Sequence, residues 1–259
     1  QYIIILFMFL AGTNFVLSYF AFKGRISKIL QDEEFKLYFR FTIVFTLIVV
    51  SIIYTHSYLN DSIVFDHPLV LGSAEGSIRH ALFQVVAIVT TTGFVTADYT
   101  LWSPLLLVFF FGLMFLGGSA GSTSGGIKVV RHLVLIKNGF LEFKRTLHPS
   151  AILPVRYNNK SVSGDIVFNV LGFFILYMLS FIVGSLGFAL LGLDFESSIG
   201  VAASSLGNVG PALGEFGPSN NFTEMPTAGK LWAAFLMLIG RLELFTVLIL
   251  FTPFFWRNR

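Results

Sequence analysis

The sequence predicts an all-α integral membrane protein made of tandem span–pore-loop–span repeats, with re-entrant half-helices and one broken helix. Three observations carry that expectation. Of 259 residues, 55% are apolar and only 12% are charged, where a soluble domain carries about 25% charge; mean hydropathy is +0.79. Five apolar runs, at 1–22, 38–59, 101–121, 166–193 and 228–256, reach the length of about 20 residues that a spanning helix needs. Two shorter apolar segments, 77–89 and 195–206, each lie between two of these runs and end in a polar, glycine-containing stretch. The order span, short helix, loop, span thus occurs twice, an internal repeat of architecture. With no cysteine, the chain is neither a disulfide-stapled module nor a cysteine-ligated metal domain, and its apolar content excludes a disordered chain.

Taken in order, the chain opens at Gln1 inside an apolar run with no basic segment before it, which is expected of a piece of a longer polypeptide rather than of a signal peptide. Residues 1–37 read as the last span of a preceding repeat plus a polar loop, 38–163 as one full repeat and 164–259 as the next. Fourteen of the 17 lysines and arginines fall in 23–40, 127–163 and the C-terminus, and only Arg79 and Lys230 fall in the alternate loops. The positive-inside rule makes the basic loops and the C-terminus cytoplasmic, in a multi-pass membrane protein. The opposite face carries Asp61, Asp66, Glu75, Asp98, Asp194, Glu196, Glu215 and Glu224, a surface that attracts cations or is simply polar.

The first short segment leads into Thr90, Thr91, Thr92, Gly93 and Phe94, and the second into Gly207, Asn208, Val209, Gly210 and Pro211. A half-helix entering the bilayer points its negative C-terminal end at the membrane centre. Bare carbonyls at that depth are tolerated only where they line a cavity, and there they replace the hydration shell of an alkali ion. The alternative for the first loop is a kink in a buried helix. Aligning Gly93 with Gly210 sets Thr91-Thr92-Gly93 beside Asn208-Val209-Gly210, and Pro211 ends helix at the second loop.

The third span runs into Gly117, Gly118, Ser119, Ala120, Gly121, Ser122, Thr123, Ser124, Gly125 and Gly126. Five glycines in ten residues do not hold a helix, since each costs about 1 kcal/mol against alanine. Ile127 follows the last glycine where a phosphate loop needs Lys and then Ser or Thr, and no acid lies near Ser119, Ser122 and His132 to orient a nucleophile. An irregular, cavity-lining segment that gates a path fits better. Arg241, inside the last apolar run, is expected near a helix centre at a cost of about 2.5–3.5 kcal/mol. It reads as a fixed charge below the loops, or as half of a structural ion pair; Glu243, two residues on, faces elsewhere on a helix.

Thr90-Thr-Thr-Gly-Phe94, Gly117-Gly-Ser-Ala-Gly-Ser-Thr-Ser-Gly-Gly-Ile-Lys128, Gly207-Asn-Val-Gly-Pro211 and Gly240-Arg-Leu-Glu-Leu-Phe-Thr246 resemble the membrane subunit of Trk/Ktr potassium-uptake systems, the Trk type more closely. Met8-Phe-Leu-Ala-Gly-Thr-Asn14 and Asp32-Glu-Glu-Phe35 add to the resemblance, which covers essentially the whole chain. It implies four consecutive span–pore-loop–span units around one pore, of which this sequence holds the last span of the second unit and all of the third and fourth. It further implies K+ at the filter carbonyls as the transported ion, no other cofactor, filter glycines at Gly93 and Gly210, and an obstructing loop at 117–126 contacted by Arg241. The partners it implies are a second copy of the subunit, a cytosolic nucleotide-binding ring and the lipid bilayer, with no nucleic acid. Ala212 departs from the glycine expected after the proline. The alternative function is a secondary transporter of another cation or small solute with discontinuous helices, against which the two repeats run in one orientation. An enzyme is excluded, because ionisable groups in the spans are few.

Overall fold

The computed structural model describes residues 1–59, 74–151, 153–242 and 244–257. Asp61, Asp66, Glu243 and Arg259, and the expectations attached to them, lie outside the described residues. The described chain is mostly helical, with one β-hairpin and irregular segments between helices. In order come α1 (Tyr2–Ala11), α2 (Phe15–Phe22), α3 (Ile26–Gln31), α4 (Glu33–Leu59), α5 (Ala74–Val89), α6 (Pro104–Leu113) and α7 (Val129–Leu147). Then come strands β1 (Arg156–Tyr157) and β2 (Lys160–Ser161), followed by α8 (Gly164–Leu190), α9 (Phe195–Gly207), α10 (Thr227–Arg241), α11 (Leu244–Leu248) and α12 (Pro253–Arg257).

Among the described residues, two unbroken helices are long and apolar enough to cross a membrane, Glu33–Thr55 and Gly164–Leu190. Along α8, Phe168, Ile175, Leu179, Leu186 and Leu190 are exposed. A 27-residue apolar helix that leaves such a face uncovered has lipid as its solvent.

Three of the expected spans differ from straight helices. The 1–22 run is two helices, α1 and α2, bent by 115°. The cause is local: Asn14 leaves helical geometry at φ −64°, ψ 126°, and its side-chain oxygen accepts from the N–H of Val16, starting a new helix. The 101–121 run is helical only over α6, capped by Ser103 with Pro104 at its first position. Its ten residues rise about 15 Å; beyond Met114 the backbone is irregular and Leu116 pairs with Ile127 as an isolated parallel bridge. The 228–256 run bends by 117° between Thr227–Arg241 and Leu244–Phe251. Arg241 is therefore the last residue of α10, not mid-helix, where its charge complements the helix dipole.

The short helices lie inside. Every residue from Phe83 to Thr90 is buried, α5 packing against α4, α1 and α6, as a helix apolar all round must. Helix α9 is made of small residues and is buried from Gly200 to Gly207 between α8 and α10. Small residues also set the α8–α10 approach: a Cβ on Gly187 would lie 2.3 Å from Trp232 Nε1, which donates to the Gly184 carbonyl at 3.1 Å. The hairpin pairs Arg156 with Ser161 and Tyr157 with Lys160. Its turn residues, Asn158 and Asn159, both have positive φ (47° and 64°), which asparagine tolerates and a type I′ turn requires.

Candidate functional site

Helices α5 and α9 end in the same way with unlike residues. After α5, Thr91 turns left-handed at φ 53°, its N–H donating to Ile88 O at 3.0 Å, while Thr92 N–H reaches back to Ala87 O at 2.9 Å. After α9, Asn208 does so at φ 55°, donating to Ser205 O at 3.1 Å, while Val209 N–H reaches Ser204 O at 2.9 Å. Both are Schellman caps. Two positions further along, Gly93 (φ 73°) and Gly210 (φ 118°) again need a positive φ. The alignment of Thr91-Thr92-Gly93 with Asn208-Val209-Gly210 is thus also an alignment of backbone conformation. Asparagine adopts the left-handed region readily; threonine is β-branched and does so only under constraint.

The two turns meet. A Cβ on Gly210 would lie 3.5 Å from Gly93 Cα, and one on Gly93 would lie 2.2 Å from Val209 O. Among the described residues no N–H or O–H donates to the carbonyl oxygens of Thr90–Gly93 or of Gly207–Val209, whereas the Gly210 oxygen accepts from Ser204 Oγ at 2.9 Å. Two negative helix ends therefore meet at one junction, with Val209 O beside Gly93 and further carbonyls left unclaimed on both turns, an arrangement that can favour a desolvated cation.

The glycine segment 117–126 packs against both turns. Gly125 N–H donates to Thr91 Oγ1 at 2.6 Å, which constrains that strained threonine, and a Cβ on Gly125 would lie 2.3 Å from Gly207 O. The segment's other contacts explain the bend in the first run. Ser119 N–H donates to Gly12 O at 2.9 Å, Thr123 N–H to Ala11 O at 3.4 Å, and Phe15 N–H to Gly121 O at 3.2 Å. The carbonyls released where α1 stops are taken up by the segment, as membrane depth demands. Arg241 Nη1 donates to Thr123 O at 2.6 Å, so the arginine does reach the glycine segment. Lys128 Nζ holds the Ser124 carbonyl, and Lys128, Arg131 and Arg241 line a cavity of about 310 Å³ beside the segment.

Several acidic residues expected to gather cations have local partners. Glu75 bridges to Arg79 at 2.8 Å, Asp98 accepts from the N–H of Thr100 at 3.0 Å, and Glu196 accepts from Gly214 N–H at 3.1 Å. Asp194 caps α9, accepting from Glu196 N–H at 3.0 Å and Ser197 N–H at 3.2 Å. The Ser197 hydroxyl, with these amides, holds its carboxyl below the ordinary carboxylate range. A depressed carboxyl contributes stability above its unfolded pKa and loses it as pH falls through the folded value. Replacing Asp194 with Ala should cost about 1 kcal/mol, read as a lower melting temperature of the detergent-solubilised protein near neutral pH. The difference should shrink toward acid pH; equal melting temperatures near neutral pH would contradict the capping role. Glu215 and Glu224 line a separate depression of about 680 Å³.

Sequence reasoning missed three features. Glu34 is 2% exposed and accepts from Ala120 N–H at 2.6 Å and Val130 N–H at 3.2 Å, in and just beyond the glycine segment. The elbow at Gly12–Asn14 was signalled by a glycine and a capping asparagine within one apolar run. The hairpin was signalled by the consecutive asparagines.

A mostly helical membrane protein in which two half-length helices bring glycine turns to one junction has the architecture of membrane transport proteins with re-entrant segments. The chain belongs to the TrkH cation transport protein family, whose model matches residues 1–258. It is similar to the Trk system potassium uptake protein TrkH of Escherichia coli (strain K12), 37% identical over 259 residues, 99% of this chain and 50% of that one. It is also similar to the Trk system potassium uptake protein TrkI of Halomonas elongata, 42% identical over 183 residues, 70% of this chain and 37% of that one. The crystal structure of the potassium transporter TrkH from Vibrio parahaemolyticus superposes with a TM-score of 0.86 at 34% identity, covering 97% of this chain and 52% of that one. The chain spans about half the length of the curated relatives it matches.

Proposed function

We propose that this chain supplies part of a gated, channel-like pore that takes up potassium across the bacterial plasma membrane. The observation that carries this reading is the contact between the turns at Gly93 and Gly210, each at the C-terminal end of a buried half-length helix. K+ sheds part of its hydration at the carbonyls of Thr90–Gly93 and Gly207–Gly210. The chain spans about half of its relatives, and two further turns outside this sequence complete the ring. The inward pull is electrical, about 2.3 kcal/mol per charge per 100 mV, so no chemistry on a cofactor is needed. Residues 117–126 close the path beside the turns, with Arg241 as the latch through Thr123 O.

The basic segments 23–40 and 127–163 face the cytoplasm in this reading and offer docking surface for a nucleotide-binding regulatory ring. The membrane subunit pairs with a second copy. The experiment is rubidium uptake by the full-length protein in cells stripped of other potassium uptake. Saturable rubidium entry, competed by K+ far better than by Na+, is expected. Uptake of an organic solute with no rubidium entry would favour a coupled carrier, the reading to which the two bent helix pairs would then belong.

A further inference from the structure

We propose that Glu34 is a positioning residue for the 117–126 segment, and that Asp32, Glu33 and Glu34 together form the joint through which the 156–161 hairpin sets where that segment stands. The inference rests on the reading of 117–126 as a gate.

Three consecutive carboxylates at the start of α4 hold two different structures. Glu34 points inward, its carboxyl accepting two bonds from the glycine segment and its exit: Ala120 N–H at 2.6 Å inside the segment, and Val130 N–H at 3.2 Å in the first turn of α7. The N-cap of α7, Lys128, makes no side-chain capping bond, so the buried Glu34 carboxylate caps that helix from another element. One carboxylate thereby spans the segment from its middle to its end.

The two preceding residues grip the hairpin. Asp32 Oδ1 accepts from Phe35 N–H at 2.8 Å, capping α4, while Asp32 Oδ2 accepts from Asn158 Nδ2 at 2.8 Å. Glu33 exchanges two bonds with the same turn residue: its N–H donates to Asn158 Oδ1 at 2.9 Å, and its Oε2 accepts from Asn158 N–H at 3.0 Å. Lys137 of α7 completes the clasp, 2.6 Å from Glu33 Oε2 and 2.8 Å from Arg156 O. Asn158, at positive φ in the turn, thus presents its backbone N–H and both side-chain polar atoms to the start of α4. A displacement of the hairpin or of α7 is therefore delivered, within two residues of rigid helix, to the carboxylate that holds Ala120.

The test uses the full-length transporter, reading rubidium flux in its resting state and the rubidium-to-sodium preference. Glu34→Ala should raise resting flux on the order of tenfold, the effect of losing its two part-buried hydrogen bonds on a closed–open balance. Ion preference should not move, because Glu34 touches neither turn. Glu34→Gln keeps an acceptor oxygen and should give a smaller rise. Lys137→Met loosens the clasp from the hairpin side; its ion pair is about one-third exposed, so about a twofold rise is expected after screening. Combined with Glu34→Ala it should add nothing. Independent, multiplicative effects of the two would overturn the joint.

A Ser122→Cys reporter, labelled by a membrane-impermeant thiol reagent, should react faster when Glu34 or Lys137 is changed. If Glu34→Ala does not reach the membrane, Glu34→Gln and Lys137→Met carry the same test. Flux and labelling unchanged in both would overturn the proposal. Arg241→Ala separates the two levels. A rise with Arg241→Ala but none with Glu34 or Lys137 variants overturns the joint and leaves the gate. No rise with any of them overturns the gate and the joint with it.

Discussion

Gly93→Ala in the full-length protein is expected to abolish potassium-limited growth and to cut rubidium uptake by at least about tenfold. Two costs coincide at this position. The backbone sits at φ 73°, and the added carbon would lie 2.2 Å from Val209 O and 3.2 Å from Pro211 Cδ. Neither neighbour is the free end of a flexible side chain, so relief requires moving the second turn, which is itself proposed to coordinate the ion. A left-handed alanine alone costs roughly 1–2 kcal/mol; displaced carbonyls then remove ion ligands. Gly210→Ala is the internal control. Its φ of 118° is also unfavourable, but the nearest atom to the new carbon would be Gly93 Cα at 3.5 Å, an ordinary contact. Gly210→Ala should therefore be the milder of the two, and Asp at either position should be null. Wild-type uptake and selectivity in Gly93→Ala would remove the coordinating role of this junction.

Arg241→Ala is expected to raise flux. The guanidinium at the end of α10 ties that helix to Thr123 O at 2.6 Å. Hydrogen bonds to a charged group contribute about 1.5–3 kcal/mol, enough to move a closed–open balance by about tenfold or more. Arg241 is exposed at the cavity beside the segment, which places the effect at the lower end of that range. Shortening 117–126 should act in the same direction but also disturb Thr91, because Gly125 N–H holds its hydroxyl. The two variants are thus expected to differ in kind: more flux with preserved ion preference for Arg241→Ala, more flux with degraded preference for the shortened segment. Electrophysiology or rubidium flux with sodium competition separates them, and wild-type flux in both would end the gating role.

How much of this was legible in the sequence depends on which interaction decided each element. The two long apolar helices and the half-length helix that follows each of them were readable, because run length and hydropathy are properties of the chain itself. The register of the two turns was readable too, from the glycines alone. What failed was straightness. Apolar content does not register an elbow, so 1–22 and 228–256 were expected as single spans; Asn14 as a capping residue was the visible signal in the first of them. Arg241 was expected mid-helix for the same reason. The left-handed Thr91 had no local signal, since threonine disfavours that region; the Gly125 N–H, 34 residues away, helps hold it there. Glu34 looked like any acid at the start of a helix. Only the fold brings the glycine segment onto it.

The elbow at Gly12–Asn14 also bears on how the polypeptide is laid down in the bilayer. Its carbonyls at Ala11 and Gly12 find their partners at Ser119 and Thr123, about a hundred residues later in synthesis, an interval of several seconds or more at ribosomal speed. Unmet carbonyls in hydrocarbon cost several kcal/mol each. The opening helix pair thus has no resting place in lipid until the glycine stretch emerges, and it must wait at the translocon, beside water, or as a provisional straight rod. Biogenesis at this elbow is a matter of timing, with the bend depending on residues made about a hundred positions later for its final shape.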